Sequence, residues 1–124
     1  MTRARASCFG VAQALVCALI LQGCEAEDAW DEAICPEGGT TLSYENFGRD
    51  FIGSECQTCH ASGAKERRGA PTHISFDDLE AVREWSDRIY ERSAGDNVSM
   101  PPGPVDPDPA TREALGEWLA CGAP

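Results

Sequence analysis

Cys56-Gln57-Thr58-Cys59-His60 is the stretch on which the interpretation of this 124-residue chain depends. Two thiols separated by two residues, with a histidine directly after the second, form the pattern of a covalent haem attachment site. The thiols add to the two vinyl groups on one edge of a haem, and the histidine then lies under the ring and coordinates the iron. We therefore predict that Cys56 and Cys59 carry one haem c and that His60 is an axial ligand of its iron.

Two interpretations without haem also remain open for a CxxC pair. A thiol–disulfide redox motif of the thioredoxin kind lies near a βαβ pattern, and this sequence shows none. A zinc site takes four ligands, and His73 is the only histidine besides His60 that could complete one. Either alternative also has to account for the histidine that follows the second thiol.

The start of the chain has the features of an export signal. Residues 1–5 include two arginines and no acid, and the apolar run at 11–21 is too short to span a bilayer. The run ends in Leu21-Gln22-Gly23-Cys24, which resembles the lipobox of bacterial lipoproteins. The resemblance implies that residues 1–23 are removed and that Cys24 is acylated.

Acylation of Cys24 would hold the exported protein on a membrane surface without a spanning helix. Glu25 follows the cysteine, where an aspartate commonly retains lipoproteins at the inner membrane, so we expect an outer-membrane anchor facing the periplasm or the cell surface. The alternative is an ordinary signal peptide that leaves Cys24 as a free thiol.

The seven cysteines fall into groups once these assignments are made. Two leave with the signal, one is lipidated and two belong to the haem motif, which leaves Cys35 and Cys121. Because an exported protein folds in an oxidising compartment, we predict a Cys35–Cys121 disulfide. The alternative is a pair of unpaired buried thiols.

The charge of the chain disfavours one class of partner, the nucleic acids. Ten basic residues include the two in the signal, so the mature chain keeps eight against 21 acidic residues, a formal charge of −13. A surface this negative repels phosphates, which argues against nucleic-acid binding. It would attract a redox partner protein with a basic docking face, at a rate that falls as salt rises.

The mature sequence predicts helices and long loops. Residues 24–34 are an acidic tether, and residues 35–124 form one domain. Apolar side chains at helical spacing predict a helix from the Ser43 cap to the haem motif, and another from a Ser75–Asp78 capping box to Gly95. A last helix begins near Asp108, with Pro109 at its first position, and ends at Gly122. No strand is evident, so we expect an all-α fold.

Met100 is the candidate for the second axial position of the iron. It precedes two prolines and is the only methionine besides Met1. A thioether is a soft, neutral ligand, so it favours ferrous iron and raises the reduction potential relative to a second histidine. The alternatives are ligation by His73 and an open sixth position.

These motifs, in this order, resemble the small monohaem c-type cytochromes of class I over residues 43–122. The resemblance implies a helical domain wrapped around one haem, with thioethers on Cys56 and Cys59 and with His60 and Met100 on the iron. It also implies that the first and last helices cross, with Phe47 or Phe51 near Leu115 or Trp118 and a close approach at Gly48. A proline carbonyl accepts a hydrogen bond from the proximal imidazole in this family, and Pro71 is the candidate.

Contacts with the haem propionates are considered for three further side chains. Arg67 and Arg68 are candidate partners of the haem propionates, although loop arginines are commonly solvated. Trp85 carries an indole N–H that would reach a propionate, or it packs between helices.

The function that follows is one-electron transfer by a membrane-anchored carrier, which is not an enzyme, because the cofactor supplies the chemistry. The first alternative is a haem protein with an open or labile distal site that acts as a peroxidase or a gas sensor. The second is a haem-free lipoprotein that uses Cys56 and Cys59 for thiol redox chemistry or metal binding.

Overall fold

The computed structural model describes residues 30–104 and 106–124, and every regular element in those ranges is helical. The predicted helical class is therefore confirmed over the described part of the chain, which contains no β-strand. The predicted signal peptide and the predicted acylation site at Cys24 lie outside the described residues.

The first helix, α1, consists of four helical segments that follow one another without a gap: Tyr44–Gly48, Arg49–Phe51, Ile52–Cys56 and Gln57–His60. Its predicted start is confirmed. Ser43 caps the helix by accepting from the Asn46 amide at 3.2 Å, and the Asn46 side chain accepts from the Ser43 amide at 2.7 Å. The first and third segments are π-helical, and such wide turns frequently occur at functional sites.

The single helix predicted from Ser75 to Gly95 is in fact two helices, α2 (Leu79–Glu84) and α3 (Ser86–Ser93). Asp78 is itself the cap of α2, since its carboxylate accepts from the Ala81 amide at 2.9 Å. The two helices are separated at Trp85, whose backbone leaves the helical conformation. The Ser86 hydroxyl donates to the Arg83 carbonyl at 2.8 Å, and such side-chain bonds compete with the helical ladder.

The last helix, α4, spans Pro109–Ala120 and matches its prediction closely. Asp108 accepts from the Thr111 amide at 3.0 Å, and Pro109 occupies the first helical position. The helix ends two residues before Gly122, which takes the left-handed conformation that closes helices.

Helices α1 and α4 contact each other as expected, and their contact forms one side of the hydrophobic core. The Phe47 and Trp118 rings meet edge to face at 5.9 Å, and Gly48 is buried against the same indole. Further apolar side chains complete the core: Phe51, Ile52, Phe76, Val82, Ile89, Leu115 and Leu119.

The predicted Cys35–Cys121 disulfide is present, with its α-carbons 4.8 Å apart. It joins the segment before α1 to the residue that follows α4. Trp30, within the predicted tether, packs against Tyr90 at a ring distance of 5.5 Å. Among the described residues, no helix is long and apolar enough to cross a membrane.

Candidate functional site

A cavity of ≈ 360 Å³ lies between the end of α1, the loop that follows it, α3 and the loop that contains Met100. Cys56, Cys59 and His60 line it from α1, and Met100 lines it from the loop that follows α3. The four residues singled out by the sequence therefore surround one cavity. Its volume is within the range of ordinary ligand and cofactor sites, about 300–1,000 Å³.

The imidazole of His60 is oriented by a backbone carbonyl. Its Nδ1 lies 3.3 Å from the carbonyl oxygen of Ile74. A carbonyl only accepts hydrogen bonds, so Nδ1 carries the proton and Nε2 keeps a lone pair for a metal ion. The partner of this imidazole is thus Ile74 and not Pro71, the predicted one; the Pro71 carbonyl accepts from Arg67 at 2.7 Å.

Phe76 connects the histidine to the segment that supports it. Its ring stacks on the His60 imidazole at 4.7 Å with an interplanar angle of 18°, and its amide donates to the His60 carbonyl at 2.7 Å. The Gln57 side chain in turn donates to the Phe76 carbonyl at 2.8 Å. The end of α1 and the segment around Phe76 therefore hold each other in place.

Arg67 organises the loop that forms one wall of the cavity. Its guanidinium donates to four carbonyls, at 2.5 Å to Ala61, 3.2 Å to Ala70, 2.7 Å to Pro71 and 2.7 Å to Ile74. All three of its nitrogens are engaged with backbone, so the structure uses this side chain to shape the loop. Only one of its five N–H groups, on Nη1, remains for the predicted contact with a carboxylate of a bound group.

The two thiols of the motif differ in environment. Cys56 is 9% exposed, and burial, with a smaller effect of the nearby Glu55 charge, raises the pKa of its thiol to about 12. Cys59 is half-buried. Thiol–disulfide exchange requires a thiolate, which the raised pKa makes scarce at Cys56 near neutral pH. This environment disfavours the thiol-redox interpretation.

The backbone of Met100 is held on both sides of its α-carbon. Its amide donates to the Arg92 carbonyl at 2.9 Å, and its carbonyl accepts from Arg112 Nη1 at 2.8 Å. The side chain remains 36% exposed at the edge of the cavity.

Arg112 was not identified as a functional residue from the sequence. It continues the apolar face of α4 that carries Leu115 and Leu119, at helical spacing, and is only 2% exposed. The sequence feature that could have identified it is a charged residue at a position of the helix where the pattern predicts an apolar one.

The two other candidates lie elsewhere. His73 is exposed, and its ring lies 6.0 Å from that of Trp85. Neither side chain lines the cavity, and Trp85 packs against the core. Of the two predicted candidates for the second axial position, the structure thus brings Met100 to the cavity and leaves His73 outside it.

The rim of the cavity is basic although the chain is strongly acidic. Four of the residues that line the cavity are arginines: Arg67, Arg68, Arg88 and Arg92. Glu55 is the one acidic residue in the lining. Arg88 pairs with Glu91 at 2.5 Å. The side chains of Arg68 and Arg92 make no hydrogen bond within the described residues.

No family model, curated protein or solved structure matches the chain. What the cavity binds is therefore inferred from its own residues. Between residues 30 and 124, Val105 apart, no group of three histidine, cysteine, aspartate or glutamate side chains is arranged to hold a metal ion.

The residues around the cavity suit a haem. Walls such as Ile74, Phe76 and Ile89 are apolar and match a large hydrophobic plate. The imidazole and the thioether are both ligands that haem iron accepts, and the two thiols are spaced for its vinyl groups. Guanidinium groups at the rim match the carboxylates that a haem carries at one edge.

Proposed function

We propose that the protein is a monohaem c-type cytochrome of the small class I kind, which transfers single electrons and performs no catalysis of its own. One observation carries the proposal: Met100, which lies far along the sequence from the Cys56–His60 motif, lines the same cavity as Cys56, Cys59 and His60. A bound haem would supply the one-electron chemistry, and the chain would set its potential and orientation.

Each residue has a distinct task under this proposal. Cys56 and Cys59 would hold the group through thioether bonds. His60 would offer Nε2, because Ile74 engages the other ring nitrogen and so fixes both the tautomer and the ring orientation. Met100 would offer a soft, neutral sulfur, which favours the reduced state.

The held loop supports electron transfer rather than ligand exchange. The peptide unit of Met100 is fixed by the Arg92 carbonyl and by the Arg112 guanidinium. A ligand on a fixed segment keeps its position in both oxidation states, so little reorganisation accompanies transfer. The alternative of an open distal site requires this segment to move away from the cavity.

The two unengaged arginines of the rim support the same cofactor. Arg68 and Arg92 line a largely apolar cavity and have no hydrogen-bonded partner within the described residues. An apolar body with carboxylates at its edge is the ligand such a site favours. We propose that these two side chains receive the haem propionates.

Location and partners follow from the sequence. Acylation of Cys24 would keep the carrier on the periplasmic or outer face of a bacterial membrane, with the outer membrane favoured. The acidic surface would associate with redox partners that present a basic docking face.

Export of the protein in a host with haem-attachment machinery tests the proposal. We expect a haem that stays with the polypeptide after denaturation, and low-spin optical spectra in both oxidation states. Met100→Ala should produce a high-spin ferric form with a lower potential. His73→Ala is the matched control, since His73 lies outside the cavity, and should leave the spectra unchanged.

Two outcomes would overturn this assignment. A colourless protein would favour the haem-free interpretations of the CxxC pair. A wild-type protein with high-spin ferric iron would favour a peroxidase or gas-sensing site.

A further inference from the structure

Arg112 on α4 directs one nitrogen at three backbone carbonyls around the Met100 loop. Its Nη1 lies 2.8 Å from the Ser93 oxygen, 2.9 Å from that of Asn97 and 2.8 Å from that of Met100. The first of these belongs to the last residue of α3, and the other two to the loop. A single side chain thus connects α4, the end of α3 and the loop that carries the candidate ligand.

Burial makes this arrangement costly unless its contacts are kept. Arg112 is 2% exposed, and its Nε and Nη2 make no hydrogen bond. Asp106 Oδ1 lies 3.7 Å from Nη2, which is too long for a hydrogen bond but short enough for attraction between the charges. A buried cation is retained where it is compensated, and here the three carbonyls provide most of that compensation.

The contacts fix the backbone of Met100 on both sides of its α-carbon. The Met100 amide donates to the Arg92 carbonyl on α3, and the Met100 carbonyl accepts from Arg112 on α4. The backbone of Met100 is therefore fixed to both helices. The side chain between these two fixed points lines the cavity.

We propose that Arg112 is a positioning residue that holds Met100 at the cavity and so sets how firmly its sulfur stays on the iron. The inference rests on the proposed haem function. It assigns control over access to the sixth position of the iron to a buried arginine that does not itself line the cavity.

Competition by added imidazole in the ferric holoprotein tests the role. Imidazole binds the iron only where Met100 leaves, so its apparent affinity reports how firmly the loop is held. We expect Arg112→Met to raise that affinity at least tenfold, about 1.4 kcal/mol. Arg112→Lys should restore part of the difference, because an ammonium has three donors for the three carbonyls.

Arg83→Met is the matched control. Arg83 also donates to backbone carbonyls, at 2.8 Å to Ala123 and at 3.3 Å to Gly122, but does not contact the Met100 loop. It should lower stability without changing the imidazole affinity. An Arg112→Met protein with the affinity of the wild type, or an equal rise in Arg83→Met, would overturn the positioning role.

A measurement on the wild type covers the case in which Arg112→Met does not fold. The Nη1 protons of Arg112 should exchange slowly with solvent in NMR spectra, and rapid exchange would contradict the inference. A wild-type protein that carries no haem would overturn the proposed function and this role together. A haem-bearing wild type whose Arg112 variants bind imidazole normally would overturn the role alone.

Discussion

Gly48 on α1 lies directly against the indole of Trp118 on α4, with no room for a side chain between them. A β-carbon at Gly48 would come within 2.9 Å of Trp118 Cε2 and closer still to two other ring atoms. The Trp118 ring is fully buried, so it has no open space into which to retreat. The contact between the two helices therefore depends on the absence of one methyl group.

Gly48→Ala should lower the free energy of unfolding by at least about 1–3 kcal/mol, the usual cost of overpacking a core. Gly53→Ala on the same helix is the control, because its β-carbon would meet nothing within 4 Å. That change should stabilise the protein by about 0.5–1 kcal/mol, since alanine loses less backbone entropy in a helix. Urea unfolding of both variants measures the difference, and equal stabilities would contradict the close packing.

Arg67→Ala should destabilise the protein by about 1.5–3 kcal/mol, the cost of losing hydrogen bonds from a charged donor to partly buried acceptors. Four carbonyls lose the bond from this charged donor, the Ile74 carbonyl beside His60 among them. Lys65→Ala, in the same loop, removes an exposed cation whose side chain makes no hydrogen bond within the described residues and should change stability little. The free energies of unfolding of the two variants decide the point, and equal losses would show that Arg67 does not organise the loop.

Local chemistry explains which helix boundaries could be predicted from the sequence. Ser43 and Asp108 cap their helices through contacts three residues away, so nearby residues were sufficient. The break at Trp85 depends on the Ser86 hydroxyl and on packing against the core, and a periodic apolar pattern does not encode it. The contact of α1 with α4 followed from the family resemblance.

The site was predictable to the extent that its chemistry is carried by rare residue types. Two cysteines, a histidine and the single methionine of the mature chain drew attention individually. The Ile74 carbonyl near His60 is backbone, which any residue supplies, so no sequence pattern identifies it. Arg112 was missed because its importance comes from three carbonyls brought together by the fold.

The contribution of Asp77 to stability should depend on acid pH. The Ser62 amide donates to its carboxylate at 2.9 Å and is the main reason that the pKa of Asp77 lies below its usual 3.8. A lowered pKa in the folded state means that the stabilisation is complete above about pH 4. It is lost as the pH falls through the folded-state pKa.

Asp77→Asn should therefore lower the free energy of unfolding at pH 7. Because the variant has no carboxylate at this position to protonate, its stability should fall less than that of the wild type below pH 4. The two curves of stability against pH should then approach each other. Asp50→Asn is the control, since the Asp50 carboxylate accepts no hydrogen bond within the described residues. Thermal unfolding between pH 2.5 and 7 provides the comparison. Parallel curves for wild type and Asp77→Asn would contradict the linkage.

Reduction of the Cys35–Cys121 disulfide should lower the free energy of unfolding by about 3–5 kcal/mol in the chain-entropy model, because the bond closes a loop between residues 86 positions apart. A Cys35→Ser, Cys121→Ser double variant should show the same loss without reductant. Thioethers resist thiol reductants, so haem should stay attached to the reduced wild type. Loss of colour on reduction would contradict covalent attachment.

The four hydrogen bonds from Arg67 to backbone carbonyls affect how the loop after α1 would vary among related sequences. The loop owes its shape to one guanidinium that gathers four backbone oxygens, which any residue at those positions supplies. Neighbours such as Lys65 and Glu66, both exposed, are then open to substitution, and an alignment would show one invariant arginine within a variable stretch. We expect that arginine to persist because it shapes the loop, whatever group the cavity binds.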